Sequence, residues 1–174
     1  QLVDRLKADS IAIGEFQIIA RTGWTTGDLQ KAIRETELEA DTFELVSLLI
    51  GVNNQFQGRS QSEYRTQYTE LLMRAVELAG GDRKRVFVYS IPDYAYTPYG
   101  RGRSGISEGV DAFNAINKEI TEANNIAYFN ITPISRRGLA ETDLVASDGL
   151  HPSGKQYGLW VDSFYVDIKG LVEE

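Results

Sequence analysis

The chain has 174 residues, 42% of them hydrophobic and 25% charged, and a formal net charge of −7. That length suits one domain with a sizeable core, and the negative charge disfavours nucleic acid or an anionic membrane surface as partner, because either would repel it. There is no cysteine and a single histidine, which excludes disulfides, a thiolate metal site and a cysteine nucleophile and argues against a nitrogen-rich zinc site.

Taken in chain order, helical and strand-like patterns alternate. Gln1 to Ala8 places Leu2, Val3 and Leu6 on one face and reads as the end of a helix. Phe16 to Ala20, FQIIA, is short and β-rich and reads as a strand. Thr26 to Thr36 reads as a helix with Leu29, Ala32 and Ile33 inward. Thr42 to Ile50 ends in a nearly continuous apolar run bounded by Gly51, the pattern of a strand buried on both faces. Ser60 to Ala79 is the clearest helix, with a capping-box pattern at Ser60 and Glu63 and two glycines behind it. Arg85 to Ser90 reads as a further apolar strand, stopped by Pro92. A polar, glycine-rich stretch from Asp93 to Gly109 reads as a functional surface loop. Val110 to Asn124 is helical and Ile126 to Ile131 a strand. Ser153 caps a last helix carrying Tyr157, Trp160, Val161, Phe164, Ile168 and Leu171.

Strands alternating with helices predict an α/β fold, a parallel sheet with helices on both faces. Such sheets bind ligands at the carboxyl ends of their strands, so the loops after Ala20, Ile50, Ser90 and Ile131 matter most. No apolar window is long enough to span a bilayer. No repeat and no domain linker is visible, and residues 1–174 read as one domain.

Three loops carry chemistry. RTGWTTGDL, residues 21–29, has Gly23 where a sharp turn presents a backbone N–H. A plain strand-to-helix turn and a phosphate cradle before a helix N-terminus are its other readings. GVNN, residues 51–54, puts the amide of Asn53 where it can donate to a carbonyl oxygen gaining charge, or close an Asx-turn. SDGLHPSGKQY, residues 147–157, holds the only histidine. An aspartate three residues earlier, Asp148, can accept one imidazole N–H of His151, fix its tautomer and leave the other nitrogen as a base. Together the loops supply an N–H donor, an amide donor and a base with its orienter; a nucleophile is what they lack.

TGWTTGDL, GVNN and SDGLHPSG resemble blocks II, III and V of the SGNH (GDSL-type) hydrolases, in the right order along the whole chain. The resemblance implies a three-layer α/β/α flavodoxin-like parallel sheet of order 2-1-3-4-5. It implies an esterase or acylhydrolase acting through an acyl-enzyme on small-molecule, lipid or sugar esters, with no cofactor and no metal. His151 is then the general base, Asp148 its orienter, and Gly23 and Asn53 the oxyanion donors. Position 54 has Asn where Asp is frequent, with little consequence expected, since the oxyanion role falls on Asn53. A non-catalytic binding module on the same fold and a flavin-binding flavodoxin are the alternatives.

The family's nucleophile block, Gly-Asp-Ser, occurs nowhere in the chain. Ala8-Asp9-Ser10 imitates it, but follows a polar helical segment rather than an apolar strand. The expectation is therefore an upstream segment that supplies the first strand and its serine, or another chain filling the same slot. That strand is internal to the sheet, and each buried backbone group it left unpaired would cost roughly 1–3 kcal/mol.

Overall fold

The computed structural model describes residues 1–36, 38–40 and 43–173. Along the chain run α1 (Leu2–Ala8), α2 (Thr26–Glu35), β1 (Val46–Leu48), α3 (Val52–Phe56), α4 (Gln61–Leu78), β2 (Val86–Tyr89), α5 (Ile106–Ala123), β3 (Ala127–Phe129), α6 (Thr132–Ser135) and α7 (Gly154–Glu173). Single 3₁₀ turns lie at Arg83–Arg85, Tyr94–Tyr96 and Thr142–Leu144. The chain divides into two compact units. One comprises Gln1–Gln17, Pro92–Ser107 and Ile131–Glu174; the other comprises Ile18–Ile91 and Glu108–Asn130.

The second unit holds the sheet. Its three described strands are parallel, in the order β1-β2-β3, with Val46 opposite Val86 and Phe87 opposite Ala127. β2 is central and its Val86, Phe87 and Val88 are at most 1% exposed, as a strand covered on both faces must be. α4 packs on β1 and α2. Its start is fixed by the Ser60 hydroxyl, which accepts the Glu63 N–H at 3.1 Å, and its end by Gly80 and Gly81, both at positive φ. Tyr64, Tyr68, Leu71, Leu72, Ala75 and Leu78 recur at helical spacing and are buried, each leucine stabilising the fold by about 1.5–3 kcal/mol. From α5, Phe113 sets its ring 4.7 Å from that of Tyr64.

The first unit is built from α1, α6 and α7. α1 lies beside α7: Arg5 pairs with Asp162 and covers the Tyr165 ring, and Lys169 pairs with Asp9 at 2.7 Å. At the other end of α1, Gln1 donates its side-chain amide to the Gly154 carbonyl at 2.8 Å. α7 is capped by Ser153, whose Oγ accepts the Gln156 N–H at 3.2 Å. No helix among the described residues is long and apolar enough to cross a membrane.

Several expectations need correction. Phe16–Ala20 is not a strand: it makes no ladder, and Phe16 and Ile18 are 58% and 76% exposed. A strand is held by its neighbour, and among the described residues none lies beside this segment. β1 is shorter than the run that suggests it and is the last strand in the order. Its Ser47 is exposed and Leu49 is 38% exposed, so it is not buried on both faces. Thr42, the start of that expected strand, lies outside the described residues. The Asp93–Gly109 stretch is exposed at Pro98, Tyr99 and residues 101–105, but Asp93 and Thr97 are buried and α5 already begins at Ile106, inside the expected loop.

Candidate active site

The Asp148–His151 turn belongs to the first unit. Asp148 Oδ1 accepts the backbone N–H of Leu150 at 2.9 Å and of His151 at 3.0 Å. Its Oδ2 lies 2.6 Å from His151 Nδ1. Aspartate folds this way because its short side chain reaches the backbone two and three residues on, and Gly149, at φ +73°, takes the left-handed conformation between them. The turn is closed outside by Ala146 N–H to the His151 carbonyl at 2.8 Å and by a bridge between Val145 and Pro152. The His151 backbone donor, then that of Leu150, then the imidazole hold the Asp148 carboxyl down to about 2. The side chains are about half exposed, 55% for His151 and 51% for Asp148. A ring whose Nδ1–H is engaged by a carboxylate presents Nε2 as a proton acceptor.

Gly23 and Asn53 belong to the second unit. Gly23 has φ +86° and is exposed, and its carbonyl accepts the Gln57 amide at 3.1 Å. The next carbonyl, of Trp24, accepts Asn53 Nδ2 at 3.0 Å. So one hydrogen of the Asn53 amide is spent on the glycine turn, while a primary amide carries two. Asn53 does not hang from a strand end; it sits in the first turn of α3, four positions beyond Leu49. Gly51, the N-cap of α3, has φ +128°, and a Cβ there would lie 2.6 Å from the Tyr64 hydroxyl. That hydroxyl donates to the Ile50 carbonyl at 3.2 Å, and burial pushes its pKa well up.

Asn54 matters more than its sequence suggests. It is fully buried; its Oδ1 accepts the Thr26 N–H at 3.0 Å and its Nδ2 donates to Thr26 Oγ1 at 2.7 Å. Thr26 passes its own proton to Gln67 at 2.5 Å. An aspartate could only accept here, so Asn sets the direction of the Thr26 hydroxyl. Thr25 and Asp28 add a full capping box at the start of α2, and the Thr25 side chain, then its backbone, lowers the Asp28 pKa. Gln57 and the Tyr64 hydroxyl escaped the sequence reading because each acts on a residue distant in the chain, and position 54, where Asn was expected to have little consequence, holds Thr26 from 28 positions away. Among the described residues no group of three or more His, Cys, Asp or Glu is gathered as a metal site requires.

Comparison with known proteins bears on both units. A sequence model of the GDSL-like lipase/acylhydrolase family matches residues 1–159. No curated protein matches the chain. Among solved structures, a lipase/acylhydrolase from Enterococcus faecalis is 22% identical, with a TM-score of 0.64, and the match covers 97% of this chain and 85% of that one. Axe2, an acetylxylan esterase from Geobacillus stearothermophilus, is 20% identical with a TM-score of 0.72 over 96% of this chain and 78% of its own. The psychrotrophic esterase EstA from Pseudoalteromonas sp. is 20% identical with a TM-score of 0.65 over 99% and 86%. The α/β fold with its parallel sheet is the one these structures share. The chain belongs to the GDSL-like lipase/acylhydrolase family, SGNH hydrolases that act on ester bonds.

Proposed function

We propose that the protein hydrolyses carboxylic esters through an acyl-enzyme on a serine, residues 1–174 forming a single SGNH hydrolase domain without its N-terminal strand and nucleophile block. His151 is the general base and then the general acid, Asp148 its orienter, and the Gly23 N–H and Asn53 amide the oxyanion donors. The observation that carries this reading is the Asp148–His151 pair, a carboxylate 2.6 Å from Nδ1 of the only histidine, on a turn exposed enough to receive a substrate.

The serine oxygen attacks the ester carbonyl and its proton passes to His151 Nε2. The carbonyl oxygen becomes an oxyanion, held by donors aimed at its new position. Collapse breaks the bond to the alcohol oxygen, which takes the proton from Nε2. Water then repeats the sequence on the acyl-enzyme and releases the acid.

In this reading the serine lies on polypeptide leading into α1. Two contacts support that. Gln1 meets Gly154 at the start of α7, three residues from His151. Ser10, behind its Ala-Asp pair, follows Asp9, which meets Lys169 near the far end of α7. Gly154 and Lys169 are 15 positions apart on one helix, about 22 Å. The positive φ of Ser10, 64°, belongs to the C-terminal turn of α1, where its N–H and that of Ile11 return to Lys7 and Leu6. Acetylated sugars, lysophospholipids and small acyl esters are the candidate substrates; the acetylxylan and esterase relatives favour small acyl groups.

The test, made on protein that includes the polypeptide leading into α1, is hydrolysis of 4-nitrophenyl acetate together with labelling by a fluorophosphonate probe. Both are expected in the parent and lost in His151→Ala. A folded parent that neither turns over ester nor takes the label overturns the serine esterase reading.

A further inference from the structure

Asp93 is 1% exposed, and the mechanism above makes no use of it. Its carboxylate is divided between two partners. Oδ1 accepts the Ala95 N–H at 2.9 Å, and Oδ2 accepts Arg136 Nε at 2.9 Å. Its own N–H donates to Ser135 Oγ at 2.8 Å. The two ends of this arrangement are α6 and the 3₁₀ turn Tyr94–Tyr96.

From that turn the bonds continue toward the histidine. Thr97 Oγ1 donates to the Tyr94 carbonyl at 2.7 Å and accepts the Gly100 N–H at 3.1 Å. Tyr99 N–H then donates to the Gly149 carbonyl at 3.0 Å, and the Pro98 ring would stand 3.5 Å from a Cβ on Gly149. Gly149 is the residue between Asp148 and Leu150, inside the loop that the carboxylate closes. The strip leaves no room to shift. A Cβ on Gly100 would lie 1.9 Å from the Tyr94 carbonyl oxygen, and one on Gly138 would lie 2.6 Å from that of Tyr96.

The Asp148–His151 pair needs such support. It is half exposed and its own bonds span four residues, so water competes for every one of them. We propose that Asp93 is a positioning residue: through Arg136 and the Tyr94–Gly100 strip it holds the Gly149 peptide, and with it the His151 ring, in the orientation the base requires. This rests on the esterase reading for its consequence in catalysis, but not for the brace itself.

His151 is the only histidine, so its ring nitrogens give a single set of NMR signals. A free neutral imidazole prefers the Nε2–H tautomer; a ring held by Asp148 carries Nδ1–H. The experiment records the ¹⁵N shifts of the neutral ring and ester turnover in the full chain together with the polypeptide that leads into α1. In Asp93→Asn, which keeps an acceptor for Ala95, part of the population is expected to move to Nε2–H. kcat should fall by about tenfold with KM within about twofold. Arg136→Gln should behave alike, and Arg136→Lys, which restores the cation, should return toward the parent. If Asp93→Asn does not fold, Pro98→Ala strips the ring from Gly149 and gives the same readout with a smaller shift. Folded variants that keep the parent's nitrogen shifts overturn the proposal. A tautomer change in protein that hydrolyses no ester leaves the brace standing and removes the esterase reading.

Discussion

The two turns that carry the candidate groups are built on opposite terms. The Asp148–His151 turn is local, charged and half exposed: one carboxylate collects donors from residues two and three positions away. The Gly23 and Asn53 turns are tied by neutral bonds between residues about 30 positions apart, with Asn54 and Thr26 fully buried. The first can form wherever the chain is free to turn, and answers to pH and to solvent. The second exists only once α2, α3 and α4 have packed, and answers to packing.

Substitutions can break this contrast at either end. The largest effect is expected at Asp148→Asn, which removes the charge and frees the ring to take the wrong tautomer. kcat should fall on the order of 10⁴-fold with little change in KM, read from ester hydrolysis. Asn53→Ala should cost about 10²–10³ in kcat while leaving a folded protein, because the residue is half-buried and its lost bond is a single one to Trp24. Full activity in that variant would remove Asn53 from the oxyanion role. Asn54→Ala inverts the pattern. It should cost about 1–3 kcal/mol of stability by leaving the Thr26 N–H unpaired in the interior, measured as a drop in urea midpoint. The smallest effect concerns acid. The folded Asp148 carboxyl lies at about 2, below its ordinary value, so the stability it contributes is complete above roughly pH 4 and is lost as pH falls through about 2. The difference in urea midpoint between the parent and Asp148→Asn should therefore shrink to nothing across that window.

How far the sequence could be read follows from the same contrast. The helices were legible because their signals are local: Ser60 and Glu63 at the start of α4, buried residues at every third or fourth place, glycines behind. So was the Asp148–His151 pair, three residues apart. Phe16–Ala20 misled because β-propensity says what a residue tolerates and not whether a partner strand lies beside it. Ser47 and Leu49 misled for a related reason, since a strand at the end of the sheet has the same apolar run as a central one. Asn54 was expected to matter little because its worth lies in Thr26, 28 positions away, and no local pattern announces that. The Asp93–Gly100 strip read as part of a functional surface loop, and nothing local showed that Asp93 and Thr97 are buried. Gly100 is glycine because the Tyr94 carbonyl occupies the space where a side chain would go.

The Tyr64 hydroxyl sits where a side chain on residue 51 would begin, and it also holds the Ile50 carbonyl. Positions 51 and 64 therefore share one space. A randomised library at 51 alone should return glycine and nothing else among active clones. Shedding the phenol would open the space and leave the Ile50 carbonyl without its donor, but a side chain at 51 would still carry the strain of φ +128°, so glycine should persist there even in those clones.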